Sequence, residues 1–223
     1  LKEVTQIGAE LVNDDSSAAD AEIIATVIDC FNEIGISDFQ IEIGQIDYFK
    51  GLVAESGISE DEEDQIKEYI HIKNFFGLEE YVDALDISDS LKKAFVAFDS
   101  LFGGISMLDK AEGYVSNETS LEAVKRLRRV YAALECYGYQ DHISFDLGML
   151  DGYNYYTGII FRGYTYGTGE PVVKGGRYNN LLKHFGKPAA SIGFGITVDN
   201  LLMALSRQKI SLPEKKSPVI LTY

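Results

Sequence analysis

The chain has 223 residues, of which 46% are hydrophobic and 12% aromatic, so it can form one sizeable globular core. Its 20 Lys and Arg against 35 Asp and Glu give a formal net charge of −15, and so acidic a balance disfavours nucleic acid as a partner. No apolar run is long enough to cross a bilayer, and the start resembles no signal peptide. We therefore expect a cytoplasmic protein without a membrane partner.

Cysteines and histidines are few and scattered along the chain. Cys30 and Cys136 each lie within an apolar helical pattern, which predicts buried free thiols rather than a disulfide. His71, His142 and His184 have no spacing typical of metal ligands. The sequence therefore predicts neither a metal site nor another cofactor.

Residues 1–45 predict a strand, a helix and a second strand. Residues 4–11 alternate in the way that a strand requires, and apolar residues between 19 and 34 recur at helical spacing. Gly35 is well placed to end this helix, because glycine adopts the left-handed backbone of many helix ends. Residues 39–43 alternate again and predict the second strand.

Residues 46–113 differ in character and predict a helical insertion without a clear strand. Ser59 followed by Glu62 forms a capping-box pattern before an acidic helix. Asp89 or Ser90 is expected to cap a later helix of the insertion.

Residues 114–210 predict the remainder of the core, beginning with a long helix over 120–137. Tyrosine, glycine and alternating apolar residues then predict strands at 143–147, 158–166, 172–173 and 192–197. Residues 178–185 predict a short helix, and a last helix follows the final strand. The proline-containing residues 211–223 predict a linker and the start of a following segment. This order of elements predicts an α+β domain with a mostly antiparallel sheet.

The first stretch with possible chemistry is the strand that carries Gln6 and Glu10 on one face. Such a face is either exposed to solvent or lines a polar pocket, and in a pocket Glu10 is expected to bind a cation such as an amino group.

The second and third stretches supply tyrosines and glycines. Residues 151–158 contain three tyrosines, which on a strand would place Tyr153 and Tyr155 on one side and Tyr156 on the other. Tyrosine suits recognition of a small ring, although core-edge aromatics are an alternative interpretation. Residues 174–178 contain paired glycines, for which a hairpin turn is the default interpretation; no phosphate-loop pattern is present.

Together and in this order, these stretches resemble motifs of the histidyl-tRNA synthetase family. Residues 5–10 resemble the end of its second class II motif, and residues 153–158 resemble its first histidine-specific motif. Residues 175–178 match the second histidine-specific motif, and residues 192–195 match the start of the third class II motif. The resemblance covers residues 1–205 and implies a class II aminoacyl-tRNA synthetase-like antiparallel sheet, flanked by helices and interrupted by a helical insertion.

The resemblance also implies roles for individual residues. Gln6 and Glu10 would hold the amino-acid end of bound histidine, Tyr156 and Tyr178 would contact its imidazole region, and Gly176 would keep the pocket wall close. The full set of implied histidine-binding residues is Gln6, Glu10, Tyr155, Tyr156, Gly176 and Tyr178.

Two departures from the synthetase motifs concern the chemistry. Asp151 stands where the family usually has the arginine that helps to activate the substrate carboxylate, and Asn200 stands where an arginine grips ATP phosphate. Adenylate formation depends on fixed positive charge facing developing negative charge. The resemblance therefore implies that histidine binding is retained and that adenylation is lost.

A histidine-binding chain without synthetase chemistry resembles the regulatory subunits of ATP phosphoribosyltransferase, and the wording of residues 152–158 and 161–165 is similar to theirs. This implies a non-catalytic role in the first step of histidine biosynthesis, with L-histidine as ligand and the short-form catalytic subunit as partner. A homodimer within a hetero-oligomer is expected. The alternatives are an active histidyl-tRNA synthetase, and a paralogue that modifies another protein or binds a different amino acid.

Overall fold

The computed structural model describes residues 3–150 and 153–211. The strands are β1 (Gln6–Val12), β2 (Phe39–Gln45), β3 (Phe102–Gly103), β4 (Ile143–Asp146), β5 (Ile159–Thr165), β6 (Val173–Arg177) and β7 (Ser191–Thr197). The α-helices are α1 (Ser17–Glu33), α2 (Ile46–Ser56), α3 (Glu60–His71), α4 (Phe75–Asp83), α5 (Asp89–Val96), α6 (Met107–Gly113), α7 (Glu118–Tyr137) and α8 (Val198–Gln208). Short 3-10 helices lie at Ala97–Ser100, Gln140–His142 and Leu182–Phe185.

The strands form one sheet in the order β1-β7-β6-β5-β2-β4-β3. All neighbours in this sheet are antiparallel except β2 and β4, which run parallel. The predicted α+β class with a mostly antiparallel sheet is confirmed.

One face of the sheet is covered by helices and forms the main core. Helix α1 packs against β7, and α7 packs against both α1 and β2. The buried residues of α7 recur at helical spacing and include Val124, Leu127, Val130 and Leu134. Each fully buried aliphatic side chain stabilises the fold by about 1.5–3 kcal/mol relative to an exposed one. The opposite face of β1, β7 and β6 is rich in glycine and remains open.

Several helix ends follow the predictions. Ser59 and Glu62 form the predicted capping box of α3, and Gly35 adopts φ +84° just beyond α1. The prediction of Asp89 or Ser90 as a cap was wrong, because Ser88 has the extended backbone of a cap and its Oγ accepts a hydrogen bond from Leu91 N–H at 3.4 Å.

Three further predictions were wrong. The insertion does contain a strand, since Phe102–Gly103 pairs with β4; two residues are too short to show alternation. Gly175 and Gly176 lie inside β6 rather than in a hairpin turn, because their missing side chains let other groups approach the strand closely. Cys30 is half-buried and Cys136 is exposed, although both are free as expected.

Some predictions lie outside the described residues, namely the linker and strand expected after residue 211. The division of the chain into a core and an insertion stays a prediction. Within the described parts of the chain, no helix is both long enough and apolar enough to span a membrane.

Candidate functional site

A cleft of about 460 Å³ opens on the uncovered face of the sheet, above β1, β7 and β6. Five of the six predicted site residues line it, namely Gln6, Glu10, Tyr155, Tyr156 and Tyr178. Gly176 lies on the adjacent stretch of β6. We call this space the cleft.

Glycines on the central strands make room for the cleft. Glu10 stands directly opposite Gly193, and Gly8 stands opposite Gly195. A Cβ atom on Gly193 would lie 1.7 Å from Glu10 Oε2, so any side chain there would displace the carboxylate. The sheet therefore holds Glu10 folded over β7, within the cleft.

The three tyrosines form one aromatic wall. The Tyr155 ring stacks on the Tyr178 ring, with centroids 5.5 Å apart and an interplanar angle of 22°. Tyr155 meets Tyr156 edge to face at 4.9 Å. A Cβ atom on Gly176 would lie 2.7 Å from the Tyr156 ring, so this glycine lets the ring lie against β6.

The predicted strand through these tyrosines was wrong. Residues 153–157 form a turn and an irregular segment before β5. A strand would have placed Tyr155 and Tyr156 on opposite faces, whereas the turn lets both line the cleft.

Glu10 and Tyr178 are joined by a hydrogen bond in which the tyrosine hydroxyl donates to Glu10 Oε2. Partial burial raises the pKa of Glu10 above its usual value. Burial, together with the nearby charge of Glu10, raises the pKa of Tyr155 and of Tyr156, so both remain protonated donors at neutral pH. The cleft thus offers one carboxylate acceptor beside several hydroxyl groups.

A buried ionic network that was not predicted from the sequence supports the wall from behind. Arg177 and Asp20 are both fully buried and pair at 2.7 Å, and Arg126 pairs with the other Asp20 oxygen at 2.7 Å. Arg177 also donates to the Asp14 carbonyl oxygen at 2.9 Å. Because Arg177 immediately precedes Tyr178, this network fixes the end of β6 from which that ring projects.

Lys174 is a further lining residue that was not predicted to belong to the site. It lies on β6 directly opposite Gly195, and its side chain is exposed in the cleft. The only available signal was its place two residues before Gly176, which puts both residues on one face of a strand. A hairpin turn at the glycines, as predicted, would not place Lys174 and Gly176 on one face of a strand.

Two positions depart from the synthetase motifs. Asp151 lies outside the described residues. Asn200 is half-buried at the start of α8, where its Nδ2 donates to the Pro171 carbonyl oxygen at 3.2 Å. An amide engaged in this way supplies no fixed positive charge. Among the described residues, no three His, Cys, Asp or Glu side chains are grouped as a metal site.

The sheet, its helices and the cleft define a class II aminoacyl-tRNA synthetase-like fold. The family model for histidyl-tRNA synthetase matches residues 1–201. The chain belongs to the histidyl-tRNA synthetase family.

Relatives within this family include regulatory proteins. The ATP phosphoribosyltransferase regulatory subunit of Acetivibrio thermocellus is 42% identical over 222 residues, which cover 100% of this chain and 53% of that protein. The chain spans about half the length of the curated relatives it matches. The predicted resemblance to these regulatory subunits is confirmed.

Solved structures agree on the fold. A Bacillus halodurans protein described as an ATP phosphoribosyltransferase regulatory subunit/histidyl-tRNA synthetase matches with a TM-score of 0.85 and 34% identity, covering 91% of this chain and 53% of that one. A chain of the ATP phosphoribosyl transferase complex from Thermotoga maritima matches with a TM-score of 0.68 and 18% identity, covering 86% and 65%. At that identity the second likeness shows the fold alone.

Proposed function

We propose that this chain is the synthetase-like part of an ATP phosphoribosyltransferase regulatory subunit, which binds histidine in the cleft and does not form an adenylate. The observation that carries the proposal is the combination of a carboxylate and three tyrosines in one cleft with an amide at position 200. The relatives named as regulatory subunits support the same function.

One contact in the cleft supports a different division of roles from the one expected from the sequence. Glu10 was expected at the amino-acid end of histidine and Tyr178 at the ring, but the two side chains are in contact. We therefore assign Glu10 to the ring end, where its carboxylate accepts a hydrogen bond from an imidazole N–H beside the aromatic wall. Gln6 lies two rows further along the sheet, and its side-chain oxygen can accept from the ammonium group.

Histidine bound here would act as a feedback signal. A ligand alters activity at a distant site only if it binds two states of the complex with different affinity. The partner in the proposal is the short-form catalytic subunit of ATP phosphoribosyltransferase, and a homodimer of the regulatory chain is part of the same proposal.

Reconstitution of the full-length protein with that catalytic subunit tests the function. We expect the pair to be active, the catalytic subunit alone to be weakly active, and added histidine to inhibit the pair. The Glu10→Gln variant should keep basal activation but need more histidine for inhibition. Activity that is independent of the regulatory chain would contradict the proposed partnership, and an active pair that ignores histidine would contradict the sensing role.

An active histidyl-tRNA synthetase is the second candidate, because the family model that matches the chain carries that name. This candidate requires other groups to supply the positive charge of the two motif arginines. Histidine-dependent ATP–pyrophosphate exchange by the full-length protein separates the two candidates.

A further inference from the structure

Lys174 is a cation in the cleft without an evident structural purpose. Its side chain lines the cleft, and it forms no ion pair or side-chain hydrogen bond with any residue in 3–150 or 153–211. An exposed lysine on a sheet usually needs no functional explanation. Here, however, it stands beside a glycine-lined space that holds a carboxylate and three tyrosines.

The neighbouring strand makes the charge of Lys174 more unusual. Arg162 of β5 lies directly opposite Lys174, so two cations face each other across the strand pair. Glu42 of β2 lies directly opposite Arg162 on its other side; burial raises the pKa of this carboxyl group, and the arginine charge only partly offsets that rise. Like charges in directly opposed positions destabilise a sheet. In this row of paired residues, the acidic side chain of Glu42 therefore lies next to Arg162. Lys174 is paired with Arg162 and Gly195 and faces the cleft.

The sheet register separates Lys174 from Glu10 by a distance that suits one small ligand between them. Glu10, Gly193 and Gly176 form one row across three strands, and Gly8, Gly195 and Lys174 form the next row on the same face. The two charged residues are thus two strands apart, about 10 Å, and two residues apart along the strands, about 7 Å. Both side chains line the cleft, and the positions between them in these rows are glycines.

We propose that Lys174 binds the carboxylate of the amino acid held in the cleft and thereby restricts the site to free amino acids. This assignment rests on the proposed function, since it presupposes that histidine binds with its ring at Glu10. The ligand then spans the cleft, with its ring at the aromatic wall and its carboxylate at Lys174. The lysine supplies to the carboxylate the positive charge that the synthetase motifs provide through position 151.

A carboxylate fits the surroundings better than a phosphate group. Phosphate sites in proteins commonly combine arginine forks with a cradle of backbone N–H groups. Lys174 sits instead within a continuous strand, whose backbone groups are engaged by β5 and β7. A single ammonium group there matches a single negative charge.

Titration calorimetry on the full-length protein tests the assignment with two ligands. L-Histidine carries the carboxylate, whereas L-histidinol has a hydroxymethyl group in its place. We expect Lys174→Met to weaken L-histidine binding about tenfold, as for loss of one partly solvated charge-assisted bond, and to leave L-histidinol binding unchanged. Lys174→Arg, which keeps the charge, should recover most of the affinity for L-histidine. Lys174→Gln serves as a second neutral variant if the methionine variant fails to fold.

The possible outcomes are distinct. If L-histidine binds the wild type and the neutral variants equally well, the Lys174 assignment is wrong while the proposed function stands. Equal weakening of both ligands would also overturn it, because Lys174 would then act on something other than the carboxylate. If the wild type binds neither ligand, the proposed histidine site itself is wrong.

Discussion

Substitution of Gly176 by alanine, which adds a single carbon atom, tests the role of the aromatic wall. This change would put a Cβ atom 2.7 Å from the Tyr156 ring and 2.7 Å from the Ile159 carbonyl oxygen. Overpacking of this kind costs about 1–3 kcal/mol, and here the ring must move into the cleft. We expect Gly176→Ala to reduce histidine affinity by at least about tenfold, measured by calorimetry. Gly104→Ala is the matched control, because a Cβ atom there meets nothing within 4 Å.

Glu10 supplies the second test at the residue scale, with a pH dependence. Glu10→Gln should weaken histidine binding by about 1–3 kcal/mol, as for loss of a hydrogen bond to a charged group. Because burial raises the pKa of Glu10, its carboxylate becomes neutral at a higher pH than an exposed glutamate does. The advantage of the wild type over the variant should therefore shrink as pH falls through that raised pKa. An advantage that stays constant throughout this fall in pH would show that the Glu10 charge is not involved.

The residue types of the site could be predicted from the sequence, but their contacts could not. The paired polar residues on β1 follow ordinary strand alternation. The tyrosines before β5 follow the spacing of the motif. The contact between Glu10 and Tyr178 and the position of Lys174 depend on the register of β1, β7 and β6. Nothing in one sequence fixes the register of strands that lie more than 160 residues apart.

Asp20 ties helix α1 to the end of β6, and its removal tests this connection between elements. Its carboxylate is fully buried and pairs with Arg177 and Arg126. Loss of one partner of a buried ion pair costs about 3–5 kcal/mol, and without Asp20 both arginines would keep, among the described residues, only the more exposed Asp15 as an acidic partner. We expect Asp20→Ala to lower the free energy of unfolding in urea by roughly this amount.

An exposed pair provides the comparison for that variant. Arg129 pairs with Glu122 on the surface of α7, with both side chains about half exposed. Such pairs contribute little, so Arg129→Ala should change the unfolding free energy by less than about 0.5 kcal/mol. Similar losses for the two variants would mean that the buried network does not hold α1 against β6.

At the scale of elements, periodic sequence patterns predicted the long helices correctly, whereas segments of irregular backbone were not predicted. The 17-residue helix α1 and the 20-residue helix α7 were evident from apolar spacing. The turn at residues 153–157 and the straight course of β6 through two glycines were not. The two segments meet where Gly176 fits closely against Tyr156, a tertiary contact that periodicity does not reveal.

The whole molecule combines a retained cleft with a charge that opposes nucleic acid. The net charge of −15 gives no general electrostatic attraction to tRNA phosphates, although it does not determine the fold. The cleft keeps groups suited to an ammonium, a ring and a carboxylate, while Asn200 is bonded to a backbone carbonyl. Together these features support the proposed sensing role of this synthetase-like fold.

The measurement that tests this account most directly is histidine-dependent ATP–pyrophosphate exchange by the full-length protein, under conditions in which calorimetry detects histidine binding. The account predicts that histidine binds and that exchange stays at the level of a blank reaction, because Asn200 supplies no positive charge where the synthetase motifs place the arginine that grips ATP phosphate. Exchange at the rate of an ordinary synthetase would contradict it and would identify the protein as an active histidyl-tRNA synthetase.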